Sequence, residues 1–240
     1  MNLKKIAIFV EGQTEQIFVV KLLKEIARQK DISIKIYKFQ GTKSRRTPHL
    51  LEDMNIENSR FFALLYDCTC ESQVLSDIKS QHQSLTQNNY TKIIGVRDLY
   101  PKSLDDKQKI ENGMKGFIKP LNKTGIPIYM ILAIMEIEAW FLAEWQCFSK
   151  IDKLLTYEFI LQSCGLDLIN IDVETIPHPS DDIDKIYQLI GRNYTKTKEQ
   201  VTEIVESIDY QLVLSDVVKK AKQLKKLIEE IDEFLSQSIP

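Results

Sequence analysis

Apolar residues along this chain come in short unbroken runs separated by longer stretches in which they recur every three or four positions. The first run, Ile6-Ala7-Ile8-Phe9-Val10, has the form of a strand covered on both faces and ends at Glu11-Gly12. Thr14 then suits the cap of a helix reaching about Arg28, with Phe18, Leu22 and Ile26 on one face. Alternation of Ile32, Ile34 and Ile36 with Ser33 and Lys35 predicts a half-exposed strand over 32–39, stopped by Gly41. A basic turn, Lys43-Ser44-Arg45-Arg46, leads to a short helix near Pro48 to Met54. A strand follows from Phe61 to Tyr66, ending at Asp67.

The same reading predicts a helix near Ser72 to Leu85 and a strand from Lys92 to Val96, ending at Arg97-Asp98. A helix over roughly Leu104 to Leu121 and a very apolar segment from Ile126 to Met135 come next. That segment runs into Glu136-Ile137-Glu138-Ala139-Trp140-Phe141, which reads as a strand passing into a helix. About five strands alternating with helices predict an α/β fold, an open and mainly parallel sheet flanked by helices. Beyond Glu144 the strand signals stop. Ser180 is placed to cap a helix ending at Gly191, and Val217, Leu224, Leu227, Ile231 and Leu235 mark one long amphipathic helix over about Asp216 to Leu235. The expected organisation is an α/β core over 1–145 and a mainly helical part over 146–240 packed on it.

Composition narrows the function classes. Of 240 residues, 43% are hydrophobic and 28% charged, which supports a real core and argues against disorder. A net charge of −2 does not mark the whole molecule as a nucleic-acid binder, although Lys43, Arg45 and Arg46 form a local basic patch. Cys68, Cys70, Cys147 and Cys164 lack paired CxxC spacing, and His49, His82 and His178 are scattered. Reduced thiols, no membrane span and a cytoplasmic location are expected. Neither GxGxxG nor GxxxxGK[ST] occurs, so nucleotide cradles of those kinds have no support.

Carboxylates are the chemistry that the pattern brings forward. Ligands of open α/β sheets bind at the carboxyl ends of the strands, where Glu11, Asp67, Asp98 and the Glu136/Glu138 pair are expected. Acids gathered without thiolate or imidazole partners suit a hard cation, Mg²⁺ or Mn²⁺. An Asp after a strand is equally a turn former or helix cap, so Asp67 and Asp98 have a structural reading too. Glu11 lacks that alternative, because glutamate is neither a favoured cap nor a turn former. Glu136 and Glu138 share a face in a strand but diverge in a helix, so one of them is expected at the site. Glu15 reads first as a helix N-terminal acid and second as a ligand.

Glu11-Gly12-Gln13-Thr14-Glu15, directly after the first strand, resembles the E-G-x-[ST]-E opening of Toprim domains. The likeness is to nucleases related to the overcoming-lysogenization-defect (OLD) family and to a bacterial Toprim-like family. Glu138-Ala139-Trp140-Phe141-Leu142-Ala143 resembles the E-A-W-x-x-A/S segment of the second group, and Pro179 with Tyr194-Thr195-Lys196 resembles its downstream Pro and Tyr-x-Lys elements. The resemblance implies a Toprim-like core, divalent metal and phosphodiester chemistry, with Glu11 as metal ligand or general acid/base. It also implies an acidic DxD pair. Here Asp67-Cys68-Thr69 and Asp98-Leu99-Tyr100 depart from it.

The resulting expectation is a metal-dependent nuclease acting on DNA or RNA. Glu11, Asp67, Asp98 and Glu138 are its catalytic residues, and the same four with Glu136 are its Mg²⁺ or Mn²⁺ ligands. Arg97 and Lys196 neutralise phosphate. Relatives of this kind accompany ATPases in phage defence, so an ATPase partner is expected. Two alternatives stand beside it: a catalytically silent Toprim-like binding or regulatory module, and a receiver-like or small-ligand domain in which Asp67 or Asp98 acts alone.

Overall fold

The computed structural model describes residues 3–28, 30–42 and 45–236. Its first half is built of β1 (Lys4–Val10), α1 (Gln13–Ala27), β2 (Ile32–Thr42), β3 (Arg45–Met54), β4 (Phe61–Asp67), α2 (Val74–Gln87), β5 (Lys92–Asp98), α3 (Lys107–Leu121) and β6 (Ile128–Ala133). The strands form one sheet in the order β3-β2-β4-β1-β5-β6. β1 lies between β4 and β5 and is parallel to both, and β2 is parallel to β4. The fold is therefore mixed α/β with a mostly parallel sheet, as the alternation of runs predicts. Ile6 to Val10 are wholly buried, which is why the central strand reads as a continuous apolar run.

The sheet has six strands rather than five. The segment Pro48 to Met54, expected as a helix, belongs to β3, which pairs antiparallel with β2 from Thr42↔Arg45 to Ile34↔Met54. Apart from half-buried Arg46, Pro48 and Met54, β3 is exposed, so it carries no alternating apolar signal; its register comes from β2. Pro48 is tolerated because the strand is an edge. Gly41 does not stop β2 but lets it continue to Thr42: its φ is +112°, and a Cβ there would lie 2.2 Å from the Arg45 carbonyl oxygen. Of the expected basic turn, Arg45 and Arg46 open β3, while Lys43 and Ser44 lie outside the described residues.

After β6 the chain is helical: α4 (Glu138–Ala143), α5 (Gln146–Ile151), α6 (Tyr157–Cys164), α7 (Pro179–Gln188), α8 (Lys198–Ser207), α9 (Tyr210–Leu212), α10 (Val218–Lys220) and α11 (Lys222–Ser236). Two expectations are corrected here. His178, not Ser180, stands at the N-cap of α7, with Pro179 at the first helical position that its fixed φ suits. The long helix expected over 216–235 is broken: a π-helical turn, Val213–Val217, precedes α10, and Ala221 leaves helical geometry at φ −105° and ψ 87° before α11 begins. The apolar stripe continues across the break, which is why periodicity alone reads it as one helix.

By contacts the chain forms two units. The first comprises residues 1–97, 108–132 and 227–240, and the second 98–107 and 133–226. The first unit thus holds nearly all of the sheet together with most of the final helix. There Phe234 meets Phe61 edge-on at 5.6 Å, and Lys92 reaches Glu230 at 2.7 Å and Glu233 at 2.5 Å. No helix among the described residues is long and apolar enough to cross a membrane.

Candidate functional site

In the first unit, β1 and β4 deliver two of the expected acids to neighbouring positions of the carboxyl edge. Val10 pairs with Asp67, so Glu11 stands one residue beyond that pair and is half-buried. Gly12 follows as the N-cap of α1, and its N–H donates to the Glu15 carboxylate at 2.8 Å. Glu15 thus has the helix-terminal role that was its first reading.

Asp67 is 1% exposed and already engaged. Its Oδ1 accepts the Thr69 N–H at 2.8 Å, an Asx turn that lets Thr69 adopt φ +65°, and its Oδ2 lies 3.0 Å from Lys38 Nζ. Lys38 faces it because β2 and β4 pair Lys38 with Asp67. Arg46 lies against the same edge. Its guanidinium forks onto Asp77 at 3.0 and 3.2 Å from Nε and donates to the Cys68 carbonyl at 2.8 Å. Burial raises the Asp77 carboxyl while Arg46 pulls it down, and the balance is upward. Arg46 is thus spent on protein groups, and Arg97 is a half-buried residue within β5.

The second unit gathers the other motif fragments. Glu136, in the turn after β6, is 7% exposed. Its Oε2 accepts the Ser180 N–H at 3.1 Å and the Ser180 hydroxyl at 2.7 Å, and its Oε1 accepts Lys196 Nζ at 2.6 Å. Glu138, the first residue of α4, is fully buried; its Oε1 accepts the Tyr194 hydroxyl at 3.2 Å and lies 3.1 Å from Lys196 Nζ. Its Oε2 is buried with no hydrogen-bond partner among the described residues. Both glutamates therefore meet one ammonium, although only one was expected to face the site. Glu136 lies in the turn and Glu138 opens α4, with Met135 at φ +60° just before them, so neither strand nor helix periodicity spans the pair.

This cluster is electrostatically divided. Burial works to raise Glu136, but the hydrogen bonds from Lys196 and Ser180 prevail and hold its carboxyl below the usual range. Burial raises Glu138, against Lys196 and with help from the Glu136 charge. Burial tends to lower Lys196, yet the two carboxylates outweigh it and push the ammonium well up. Lys196 also sits at φ +57°, an uncommon region for a side-chain-bearing residue, and its side chain is 37% exposed. The cluster thus combines a neutralised acid pair, a strained lysine open to solvent and an orphaned carboxylate oxygen.

Asp98 ends β5 and is buried in the same unit. The chain after it pairs with the chain after β6 through Leu99 N–H to Ala133 O at 2.9 Å and Tyr100 N–H to Met135 O at 2.8 Å. Within neither unit do three His, Cys, Asp or Glu side chains among the described residues form a metal-binding group. Residue reading missed Ser180 and Lys38 as partners of the acids, and it missed Glu144. No local pattern announces Ser180, since its contact spans 44 positions. Lys38 was open to discovery, because its place in β2 follows from the alternation.

A family model described as "Domain of unknown function (DUF4276)" matches residues 10–232. No curated protein and no solved structure matches the chain.

Proposed function

The chain belongs to the DUF4276 family, and we propose that this member is a divalent-metal-dependent phosphodiesterase acting on DNA or RNA. The observation that carries the reading is the Glu138 carboxylate: buried, beside Glu136 and Lys196, with Oε2 lacking a hydrogen-bond partner among the described residues. Such an oxygen is costly inside a protein, and a hard cation satisfies it with the oxygen chemistry that Mg²⁺ and Mn²⁺ prefer. The proposal assigns Glu138 and Glu136 as metal ligands, with Asp98 as the further acid of that unit. Lys196 neutralises both glutamates; with a cation in that role its ammonium would be available to neutralise substrate phosphate. A bound cation of this kind supplies activated water and charge neutralisation in phosphoryl transfer.

Within the first unit, taken by itself, Glu11 and Asp67 are proposed as acid/base or ligand residues of the kind a Toprim-like core uses, and Arg97 as a phosphate-neutralising cation. The E-G-x-[ST]-E segment after β1 supports this reading of the fold. A partner ATPase in phage defence belongs to the same proposal.

The decisive experiment incubates purified protein with labelled single- and double-stranded DNA and with RNA in Mg²⁺, Mn²⁺ or EDTA, beside Glu11→Ala and Glu138→Ala. Metal-dependent cleavage is expected to fall about 100-fold or more in each variant, the scale of losing an acid/base or ligand group. Equal cleavage by wild type and variants sinks the assignment. A second reading, a silent binding module, is favoured by Asp67, whose Oδ1 accepts the Thr69 N–H and whose charge is paired with Lys38 at 3.0 Å from Oδ2. Under it Mn²⁺ leaves the melting temperature unchanged, whereas a metal held by the native state raises it.

A further inference from the structure

A recess of about 340 Å³ lies within the first unit, at the end of the sheet opposite Glu11 and Asp67. Its floor follows from the strand register. Ile32 and Ile34 stand two residues apart on β2 and share a face, and Met54 of β3 pairs with Ile34 on that face. Ile32 pairs with Phe61 at the start of β4, whereas Lys38 pairs with Asp67 at its end, so the length of that strand separates the recess from the candidate acids. Ile56, 45% exposed, continues the apolar wall.

The rim is cationic. Lys24 and Arg28 are four residues apart on one face of α1, and both are exposed. Arg28 caps the helix at φ +52°, and Lys30 follows on the same rim. The Lys30 ammonium donates to the Leu235 carbonyl at 3.0 Å, a bond that holds it in place and leaves its charge unneutralised. Neither Lys24 nor Arg28 has an ion pair, and no Asp or Glu lines the recess, among the described residues. Three positive charges around an acid-free recess stand in contrast to a chain of net charge −2.

We infer that this recess binds an amphiphilic anion, a carboxylate or phosphate carried on a short alkyl chain. The chain lies on Ile32, Ile34 and Met54, and the head group meets Lys24, Arg28 and Lys30. Apolar lining with a few convergent polar groups is the make-up of small-molecule pockets, and the volume is in their range. A cationic amphiphile meets three like charges, and an inorganic anion gains nothing from the aliphatic floor. No aromatic ring lines the recess among the described residues, so it offers a nucleobase no stacking platform. Affinity should therefore rise about three- to fourfold with each methylene that the floor covers, and fall with salt because the head group sits at an exposed rim.

Calorimetric titration with octanoate, hexanoate, octyl phosphate, octylammonium and inorganic phosphate tests the inference. Octanoate and octyl phosphate are expected to bind, octanoate about tenfold more tightly than hexanoate, and octylammonium and inorganic phosphate to show no binding. Lys24→Gln with Arg28→Gln removes two exposed charges and is expected to weaken octanoate about tenfold or more, the scale of losing a charged hydrogen-bond partner. Ile56→Glu puts an acid on the exposed wall and is expected to do the same. Neither variant alters a buried side chain, so both should melt as the wild type does without ligand. Equal octanoate binding in wild type and the double variant overturns the site, as does octylammonium binding as tightly as octanoate, or no binding of either amphiphilic anion by the wild type. Co-sedimentation with phosphatidylglycerol vesicles without binding of free octanoate assigns the face to a membrane surface and overturns the proposal as well.

Discussion

A buried carboxylate with too few donors costs stability when it ionises, and Glu144 makes that cost measurable. Its pKa rises from 4.5 to about 7 on folding, burial being the first cause. A raised folded pKa means that the native state holds the proton more tightly. The contribution is fully present below about pH 4.5 and is lost as pH rises through 7. At about 1.4 kcal/mol per unit, the loss is on the order of 3 kcal/mol, and no solvent discount applies at 2% exposure. Glu144→Gln removes that loss, so chemical denaturation at pH 8 is expected to find the variant more stable by this amount, with the gap closing toward pH 5. An unchanged gap across that range would refute the burial argument. The same residue shows the limit of reading a sequence one position at a time. Glu11 stood out because five apolar residues precede it. Glu144 ends an apolar helix just as abruptly, but nothing in its neighbours tells that Asp209, 65 positions away, supplies a hydrogen bond of 3.3 Å. Glu136, Glu138, Tyr194 and Lys196 were legible as motif fragments, while their convergence on one ammonium depends on contacts spanning 56 to 60 positions.

Elements were legible where the chain carries its own period. The core strands β1, β4 and β5 were placed within two residues because burial on both faces demands an unbroken apolar run. β3 was missed because an exposed edge strand has no such demand; its pairing is dictated by β2 across a hairpin. The break at Ala221 was missed because the apolar stripe survives a change in backbone geometry. Within β5 one residue has a role that composition hides. Gly95 is buried, and a Cβ there would fall 2.5 Å from Met130 Sδ and 2.8 Å from Ile78 Cδ1. Those atoms are ends of flexible side chains, so they yield, but in a packed core the shift is not free. Gly95→Ala is expected to destabilise by about 1–3 kcal/mol, the range for overpacking. A double-mutant cycle locates the cause. In the Met130→Ala background the same substitution should cost less, giving a coupling energy of about 0.5 kcal/mol or more, whereas additive losses would point away from the close approach.

Along the sequence, the second unit is inserted into the first: residues 98–107 and 133–226 belong to the second, and from Leu227 the chain belongs to the first again. Among the described residues no strand follows β6, which ends at Ala133, and the last helix belongs to the unit that the first strand begins. Its apolar face explains why. Leu227, Ile231, Phe234 and Leu235 are at most 2% exposed, and Phe234 packs on Phe61 at the start of β4. Lys92, at the start of β5, is held above its ordinary pKa, burial being overcome by the hydrogen bonds it donates to Glu230 and Glu233, and it also donates to the Glu230 carbonyl at 3.1 Å. Burying four such side chains stabilises by roughly 6–12 kcal/mol at about 1.5–3 kcal/mol each, as large as the roughly 5–15 kcal/mol by which most domains are stable at all. Removing residues 222–240 is therefore expected to unfold the sheet unit, not merely shorten the protein. Loss of the cooperative thermal transition in circular dichroism, with rapid proteolysis within β4 and β5, is the expected result. The milder Phe234→Ala should lower stability by about 3–5 kcal/mol, the cost of deleting a buried aromatic ring. A truncated chain that keeps its transition and its protease resistance would show that the sheet closes its own core without the returning helix.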